Sequence, residues 1–494
     1  MSRKLLIICC IIVSASCSGD RDAQYYTGMV KFPVKPNMGV KEAMAARVIP
    51  HSRQLEWQKL EMTAFIHFTL NTFTDMEWGT GKESPGLFNP VALDADQWVR
   101  VLSEAGMKMV IITAKHHDGF CLWPTRTTSH SVASSPWKDG RGDVIRELRD
   151  ACDRYGMKFG VYLSPWDRNA ECYGDSPAYD KFYMEQLTEL LTWYGKVDEV
   201  WFDGANGEGA NGRRQEYDWQ AYYELIRELQ PEAVTAIMGE DVRWVGTETG
   251  YGRETEWSVT VLAPGGSQAS LAINEKTGLT AMSEDLGSST LLQDAGSVYW
   301  YPAEVDVSIR PGWFWHASED SLVKSPEKLA DIYLSSVGRN AVLLLNVPPD
   351  NRGLITDSDI ESLMGLKRWI DELYDRDLLN GARPYGRGAA NAIDGNNATS
   401  WSPRHKRMAS FVPSIPATFN VAMLQEDISR GQRVEKFFIE ALSEQQWDTI
   451  ATGTTIGYKR LIRFPEKKAD EIRLTIASSR ATPHISTFAL YHSE

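Results

Sequence analysis

The sequence lacks the basic excess that nucleic-acid-binding proteins need. Its 494 residues contain 52 Lys and Arg against 66 Asp and Glu, which gives a formal net charge of −14. Because nucleic acid and anionic membrane surfaces are both bound through a basic face, this composition argues against either as a partner. We expect contact with a membrane only through a lipid anchor at the N-terminus.

Cysteine is also scarce. Three of the six cysteines fall within the first 17 residues, and the remaining three are Cys121, Cys152 and Cys172. These three are odd in number and lack the close paired spacing of a zinc site. We therefore expect packed thiols, without a disulfide framework or a structural zinc.

The apolar run near the N-terminus is too short to span a bilayer as a helix. Arg3 and Lys4 precede this run, residues 5–15, and small residues stand before Cys17. The pattern resembles a bacterial lipoprotein signal, in which Cys17 becomes the lipidated first residue. A plain secretory signal is the alternative, because Ser14 stands where leucine is most usual. Either one predicts that residues 1–17 direct export to the periplasm or outer membrane of a Gram-negative bacterium.

No glycine-rich phosphate loop follows residues 63–70, the first apolar run after the N-terminal signal. Its absence argues against a doubly wound sheet. From about residue 58 the chain instead alternates amphipathic stretches with short apolar runs that resemble parallel strands buried on both faces. These runs are 63–70, 107–117, 157–167, 197–204, 233–239, 305–314 and 341–349. We predict a (β/α)8-like, TIM-type barrel within residues 25–375, with its site at the carboxyl ends of the strands.

Two further segments have a different character. Residues 246–300 are rich in Gly, Ser and Thr with weak periodicity, and we predict long loops over the site. Residues 380–494 contain short alternating runs separated by turn residues, which predicts a C-terminal β-sandwich.

Asp203 lies near the end of the run 197–204 and precedes a glycine, which would suit a reactive carboxylate, although an aspartate there is more often a cap or turn residue. His116 and His117 end the run 107–117 and would suit zinc or non-haem iron. However, adjacent histidines alternate across a strand, and no third ligand stands at a recognisable spacing. A cleft that contains carboxyl groups, histidines and several of the 17 tryptophans suits glycoside hydrolysis. In that reaction one carboxylate attacks the anomeric carbon, and a second carboxyl group donates a proton to the leaving oxygen.

Several motifs carry a specific resemblance. "HFTLNTF", "AKHHDGFCLW", "YLSPWD", "WFDG" and "EWS" occur within residues 50–375. Together they resemble glycoside hydrolase family 29, the retaining α-L-fucosidases. The resemblance implies that Asp203 is the nucleophile and that the fucose is bound by His67, Trp78, His116, His117, Tyr162 and Trp313, with no metal in the barrel and no cofactor.

The segment "DVRWVGTETGYGRETEWS" resembles the branch of that family that acts on α-1,3 and α-1,4 linkages. The resemblance implies that Glu248 is the acid/base, while Glu254, Glu256 and Glu304 remain open. It implies a retaining exo-α-L-fucosidase that releases terminal L-fucose from branched oligosaccharides or glycoconjugates. The alternatives are a glycan-binding surface protein without turnover and a metal-dependent hydrolase that uses His116 and His117.

The C-terminal segment "AIDGNNATSW" resembles family 32 carbohydrate-binding modules and related discoidin-like sandwiches. That resemblance implies a structural calcium ion held by Asp394, Asn397 and Thr399, whose oxygens are of the kind that calcium prefers. An ordinary hydrogen-bonded turn is the competing interpretation of the same residues.

Overall fold

An eight-stranded parallel sheet forms the centre of the computed structural model, which describes residues 24–415 and 418–493. In chain order its strands are β1 (Met62–Ile66), β2 (Met109–Lys115), β3 (Lys158–Leu163), β4 (Glu199–Phe202), β5 (Val234–Ile237), β6 (Arg243–Trp244), β7 (Ala303–Ser308) and β8 (Ala341–Asn346). Their order in the sheet is β5-β4-β3-β2-β1-β8-β7-β6. A parallel bridge between Ala236 and Val242 links the two ends, so the sheet is a nearly closed barrel, which confirms the predicted fold class.

Helices cover the outside of the barrel because most connections between its strands carry an amphipathic stretch, and several of these stretches begin at a capping residue. In the helix after β1, for example, Asp94 accepts a hydrogen bond from the backbone N–H of Gln97, and Trp98 and Leu102 are buried. The barrel helices are Ala95–Glu104, Val144–Tyr155, Ser176–Trp193, Trp219–Leu229, Pro326–Ser335 and Asp357–Tyr374. β5 passes to β6 without a helix, so the alternation of strand and helix is incomplete there.

The prediction of long loops over residues 246–300 is right about their place beside the site but wrong about their lack of helices and strands. This segment contains helices Gln268–Thr277 and Ser289–Asp294 and strands Val259–Thr260 and Ser297–Trp300. The two strands pair with each other, and the second also pairs with Met29–Lys31 near the N-terminus. Local periodicity cannot reveal these elements, because they are short and the partner strand lies far away in the sequence. The remaining N-terminal elements are strands Tyr26–Thr27 and Val48–Ile49 and helices Met38–Ala45, Ser52–Gln58 and Leu70–Thr74.

Two antiparallel sheets form the C-terminal β-sandwich, as the sequence predicts. Its strands are Arg383–Tyr385, Met408–Val412, Thr418–Glu426, Val434–Ser443, Gln446–Gly453, Arg460–Lys468, Glu471–Ser479 and Ile485–Tyr491. Their inward side chains, including Phe411, Phe437 and Phe488, form a second hydrophobic core.

The predicted signal sequence, residues 1–17, lies outside the described residues. Among the helices that the structure describes, none has the length and apolar character needed to cross a membrane.

Candidate active site

A cavity of about 180 Å³ opens at the carboxyl ends of the barrel strands. Seven of the predicted site residues line it, and they are His67, Trp78, His116, His117, Asp203, Glu248 and Trp313. The eighth, Tyr162, is fully buried directly behind Asp203. Since these side chains come from widely separated positions in the sequence, the barrel is what gathers them at one place.

Asp203 is held by donors on both carboxylate oxygens. The hydroxyl of Tyr162 donates to Oδ2 at 3.0 Å, and the backbone N–H of Ala205 donates to Oδ1 at 2.6 Å. Burial raises the pKa of Tyr162 well above its usual range, so the phenol stays protonated and keeps its role as a donor. The Asp203 side chain is still 26% exposed, which leaves it fixed in orientation but accessible from the cavity.

The tautomer of His67 follows from its neighbour Asn346. The side-chain amide of Asn346 donates to Ser308 Oγ at 2.9 Å and to the Trp313 carbonyl at 2.7 Å, so its oxygen is the atom that lies 2.8 Å from His67 Nδ1. Burial lowers the pKa of His67 to about 3. The ring is therefore neutral, Nδ1–H donates to Asn346, and Nε2 remains an acceptor.

The two adjacent histidines take opposite tautomers. Asn71 Nδ2 donates to the Glu77 carbonyl and approaches His116 Nδ1 at 3.4 Å, which leaves the proton of His116 on Nε2. His117 Nδ1 lies 2.7 Å from Ser164 Oγ, whose own proton is donated to a backbone carbonyl. His117 therefore donates from Nδ1, and its free Nε2 lies 3.7 Å from Asp203 Oδ2.

Burial lowers the pKa of both His116 and His117, so both rings are neutral at pH 7. Together with His67, the three histidines leave two ring acceptors and one ring donor without a hydrogen-bond partner among the residues that the structure describes. A row of sugar hydroxyls, each of which can donate and accept, matches this mixed set.

Glu77 fixes the loop that carries Trp313. Its carboxylate accepts from the backbone N–H groups of Trp313 at 2.9 Å and Phe314 at 3.1 Å, and lies 2.8 Å from His316 Nε2. The neighbouring Trp78 is 57% exposed at the mouth of the cavity. Trp78 and Trp313 therefore give this polar cavity an aromatic rim.

Glu248 lies on an exposed loop at the edge of the cavity, where its Oε2 is 3.3 Å from Trp313 Nε1. Gly246 and Gly250 flank it with φ angles of 100° and 83°, in the left-handed region that favours glycine. The loop turns sharply at both glycines and places the carboxylate between them towards Trp313. Glu248 also lines a second cavity, so it lies where the two cavities meet.

The other glutamates considered for the acid/base role do not line either cavity. Glu254 is paired with Arg339 and Arg460. Glu256 is buried between Arg243 and Arg253, and Glu304 is buried inside the barrel.

The second cavity, of about 530 Å³, adjoins the first and shares Asp203 and Glu248 with it. Its other walls come from β5, β6 and the segment 262–281, whose helix the sequence did not reveal. Leu262, Leu271 and Leu279 make much of this wall apolar.

Two residues at the boundary between the cavities, Trp201 and Asp306, are absent from the predicted site. Asp306 accepts a hydrogen bond from Trp244 Nε1 at 2.8 Å, and burial together with the charge of Glu248 raises its pKa to about 7. Both residues lie within strands rather than at their ends. Side chains alternate between the two faces along β7, so Glu304 and Asp306 share a face. That alternation is the signal that would have indicated Asp306.

The two metal-binding hypotheses concern the His116 and His117 pair in the barrel and the turn at Asp394 in the C-terminal domain. Within residues 24–415 and 418–493, no three His, Cys, Asp or Glu side chains are grouped so that they could hold a metal ion. In the C-terminal domain, Asp394 accepts from the Asn396 N–H at 2.9 Å and from Thr399 Oγ at 2.7 Å, while Asn397 Oδ1 accepts from Thr487. These contacts form the hydrogen-bonded turn that is the competing interpretation of the same residues.

Known proteins resemble this chain over most of its length. The sequence model of the family described as "Alpha-L-fucosidase" matches residues 46–373. Alpha-L-fucosidase 1 of Arabidopsis thaliana is 41% identical over 462 residues, which cover 90% of this chain and 87% of the plant protein.

Solved structures of similar proteins indicate the same family. A Bacteroides ovatus protein is 55% identical with a TM-score of 0.90, and the match covers 96% of this chain and 79% of that one. A Ruminococcus gnavus GH29 fucosidase in complex with fucose is 31% identical with a TM-score of 0.80, and the match covers 90% and 95% of the two chains. The chain therefore belongs to the α-L-fucosidases of glycoside hydrolase family 29.

Proposed function

We propose that the protein is a retaining exo-α-L-fucosidase, in which Asp203 is the nucleophile and Glu248 the acid/base. The observation that carries this proposal is that both carboxyl groups line both cavities. In an exo-glycosidase the scissile bond lies between the site of the terminal sugar and the site of the leaving group, and two carboxyl groups must flank it.

The reaction begins when Asp203 attacks the anomeric carbon of the fucose in the smaller cavity. Glu248 donates its proton to the departing oxygen, which leaves a covalent fucosyl-Asp203 ester and a free leaving group. Glu248, now a carboxylate, removes a proton from water, and the resulting attack on the anomeric carbon breaks the ester and releases fucose with retained configuration. Tyr162 and the Ala205 N–H hold the attacking carboxylate in line throughout.

The hydroxyls of the fucose would be bound by His67, His116 and His117. Because two of these rings accept and one donates, each hydroxyl has a partner of matching type. The indoles of Trp78 and Trp313 would border the sugar. The complex of the related Ruminococcus gnavus fucosidase with fucose supports a fucose-sized ligand in this cavity.

The preference for α-1,3 and α-1,4 linkages in branched glycans is part of the proposal. When the fucose of a branched glycan is transferred to Asp203, the leaving group carries the two neighbouring sugars, which need a wide space beside the acid. The cavity of about 530 Å³ next to Glu248 offers that space. We also propose that the protein is exported through its N-terminal signal and that the C-terminal sandwich contributes to glycan binding.

Proton NMR of two substrates tests the proposal. We would incubate the protein with a trisaccharide that bears α-1,4-fucose on a galactosylated N-acetylglucosamine, and separately with linear α-1,2-fucosyllactose. The expected result is fucose that appears first as the α anomer, from the branched sugar only. The β anomer appearing first would contradict Asp203 as nucleophile, whereas cleavage of only the linear sugar would contradict the linkage preference.

Glycan binding without turnover, the alternative function, would give no fucose from either sugar. The metal-dependent alternative predicts that prolonged dialysis against a chelator abolishes fucose release. The carboxylate mechanism predicts that it does not.

A further inference from the structure

Two buried glutamates lie inside the barrel beneath the candidate active site, and the reaction described above uses neither of them. Glu199 is the first residue of β4, Glu304 is the second of β7, and both are 0% exposed. Trp57 Nε1 donates to Glu199 Oε2, and Trp201 Nε1 donates to Glu304 Oε1, each at 2.8 Å. The other oxygen of each carboxyl group has no further donor among the described residues.

The two carboxyl groups interact directly, since each shifts the pKa of the other. Carboxylate oxygens only accept hydrogen bonds, so this contact requires a proton on one of the two groups. Their surroundings favour that proton, because the barrel interior is filled by apolar side chains such as Phe65, Ile111 and Leu344. Burial raises the pKa of Glu199 to about 8 and that of Glu304 well above its usual range.

The charged neighbours of the pair are acidic, and they raise the pKa of the two glutamates further. Asp198 and Asp241 raise the pKa of Glu199, and Asp306 raises that of Glu304. In the described part of the chain, no basic side chain forms an ion pair with either glutamate. The nearby cations are paired with the aspartates instead, Lys158 and Lys196 with Asp198, and Arg53 and Arg227 with Asp241.

Trp201 connects this pair to the active site. It stands two residues after Glu199 on β4, so both side chains point into the barrel. Its ring centroid lies 5.1 Å from that of Tyr162, whose hydroxyl donates to Asp203. Trp201 also lines both cavities, so any rotation of the indole would change the wall beside Asp203.

We propose that Glu199 and Glu304 are positioning residues that share a proton and thereby hold Trp201 in place beneath the reacting sugar. While the proton is present, one oxygen of Glu304 shares it with Glu199, and the other oxygen accepts the hydrogen bond from Trp201 Nε1. Loss of the proton puts two carboxylates in contact, and their repulsion releases the indole. The catalytic consequence rests on the proposed function, but the shared proton can be tested without substrate.

The substrate-free test uses protein labelled with 5-fluorotryptophan, in which Trp201→Phe identifies the ¹⁹F resonance of Trp201. In the wild type this resonance should shift as the pH rises through about 8. Glu199→Gln and Glu304→Gln should each abolish the shift, because an amide N–H replaces the shared proton and cannot be titrated. Glu426→Gln is the matched control, since Glu426 is a buried carboxyl group in the sandwich with its pKa raised to about 7.

The catalytic test measures kcat/KM against pH for an aryl α-L-fucoside whose leaving group needs no proton. The alkaline decline of the wild type should disappear in Glu304→Gln and persist in Glu426→Gln. Glu304→Leu, which removes the acceptor of Trp201, should lower kcat on the order of 100-fold, since misplacement by about 1 Å can have that effect.

An unchanged ¹⁹F transition in both glutamine variants would overturn the proposal, as would a folded Glu304→Leu protein with wild-type kcat. Where Glu304→Leu does not fold, the two glutamine variants decide the matter. A wild type that releases no fucose would refute the proposed function, and the ¹⁹F titration would still decide whether the proton is shared.

Discussion

Replacing Asn346 by leucine should damage catalysis through the tautomer of His67, although Asn346 is buried and is not expected to touch the substrate. In the wild type, the Asn346 oxygen accepts the Nδ1 proton of His67 at 2.8 Å, and its amide donates to Ser308 and to the Trp313 carbonyl. Leucine has a similar shape but neither polar atom. His67 must then either bury an unpaired Nδ1–H or move its proton to Nε2, the atom that we expect to accept from the fucose.

The size of the effect follows from the groups left unpaired. A buried polar group without its partner costs about 1–3 kcal/mol. Asn346→Leu leaves two such groups, the His67 Nδ1–H and the Trp313 carbonyl, so the free energy of unfolding should fall by roughly 2–6 kcal/mol. If the proton moves to Nε2 instead, only the Trp313 carbonyl is left unpaired, but one sugar hydroxyl loses its acceptor. A loss of about 1–3 kcal/mol in transition-state binding then lowers kcat/KM by about 5-fold to 150-fold.

The assay is kcat/KM on an aryl α-L-fucoside, measured at a temperature well below the melting point of the variant. Ser308→Ala is the control, because it removes one partner of Asn346 and leaves the bond between Asn346 and His67 intact. We expect the control to lose stability but to keep kcat/KM within about threefold of wild type. A folded Asn346→Leu protein with wild-type kcat/KM, or an equal loss in both variants, would refute the assignment of the His67 tautomer.

The remaining predictions concern other groups of the site and the C-terminal turn. Asp203→Ala should leave less than about a hundredth of wild-type kcat, and added azide should restore turnover by forming β-fucosyl azide; greater residual activity would contradict its role. Glu248→Ala should slow substrates with poor leaving groups far more than activated aryl ones, and an equal loss would require another acid. Because the pKa of His67 is lowered to about 3, His67 stays neutral as the pH falls from 7 to about 5, so its acceptor role in binding should persist. In His67→Phe the decline in unfolding free energy below the ordinary histidine pKa should become shallower, because the wild-type ring binds a proton only when unfolded. Finally, a calcium chelator should leave the melting temperature unchanged if the turn at Asp394 is closed by hydrogen bonds alone, and a marked fall would establish a calcium ion there.

The barrel was predictable because most of its strands are uniformly apolar. β1, β2 and β3 are buried on both faces, and that burial leaves a continuous apolar run in the sequence. β6 contains only two residues, Arg243 and Trp244, so no pattern could indicate it. The helix 268–277 was missed for a related reason, since none of its residues is buried and its sequence therefore carries no apolar stripe.

The site residues were predictable to the extent that they follow strands. Asp203 and His67 lie just beyond the ends of β4 and β1, where parallel strands bring side chains together. The tautomers of the histidines depend on partners such as Asn346 and Ser164, which no local pattern connects to them. Asp306 was missed because it lies within β7 rather than beyond its end, where only the alternation along the strand could indicate it.

The most direct test of the central claim is to trap the covalent intermediate. We would incubate the protein with 2-deoxy-2-fluoro-α-L-fucosyl fluoride, whose fluorine slows breakdown of the ester, and map the labelled peptide by mass spectrometry. A fluorofucosyl group on Asp203, which disappears when turnover is restarted with an acceptor sugar, is the predicted result. A label on another carboxylate, or inactivation without any label, would contradict a double displacement through Asp203.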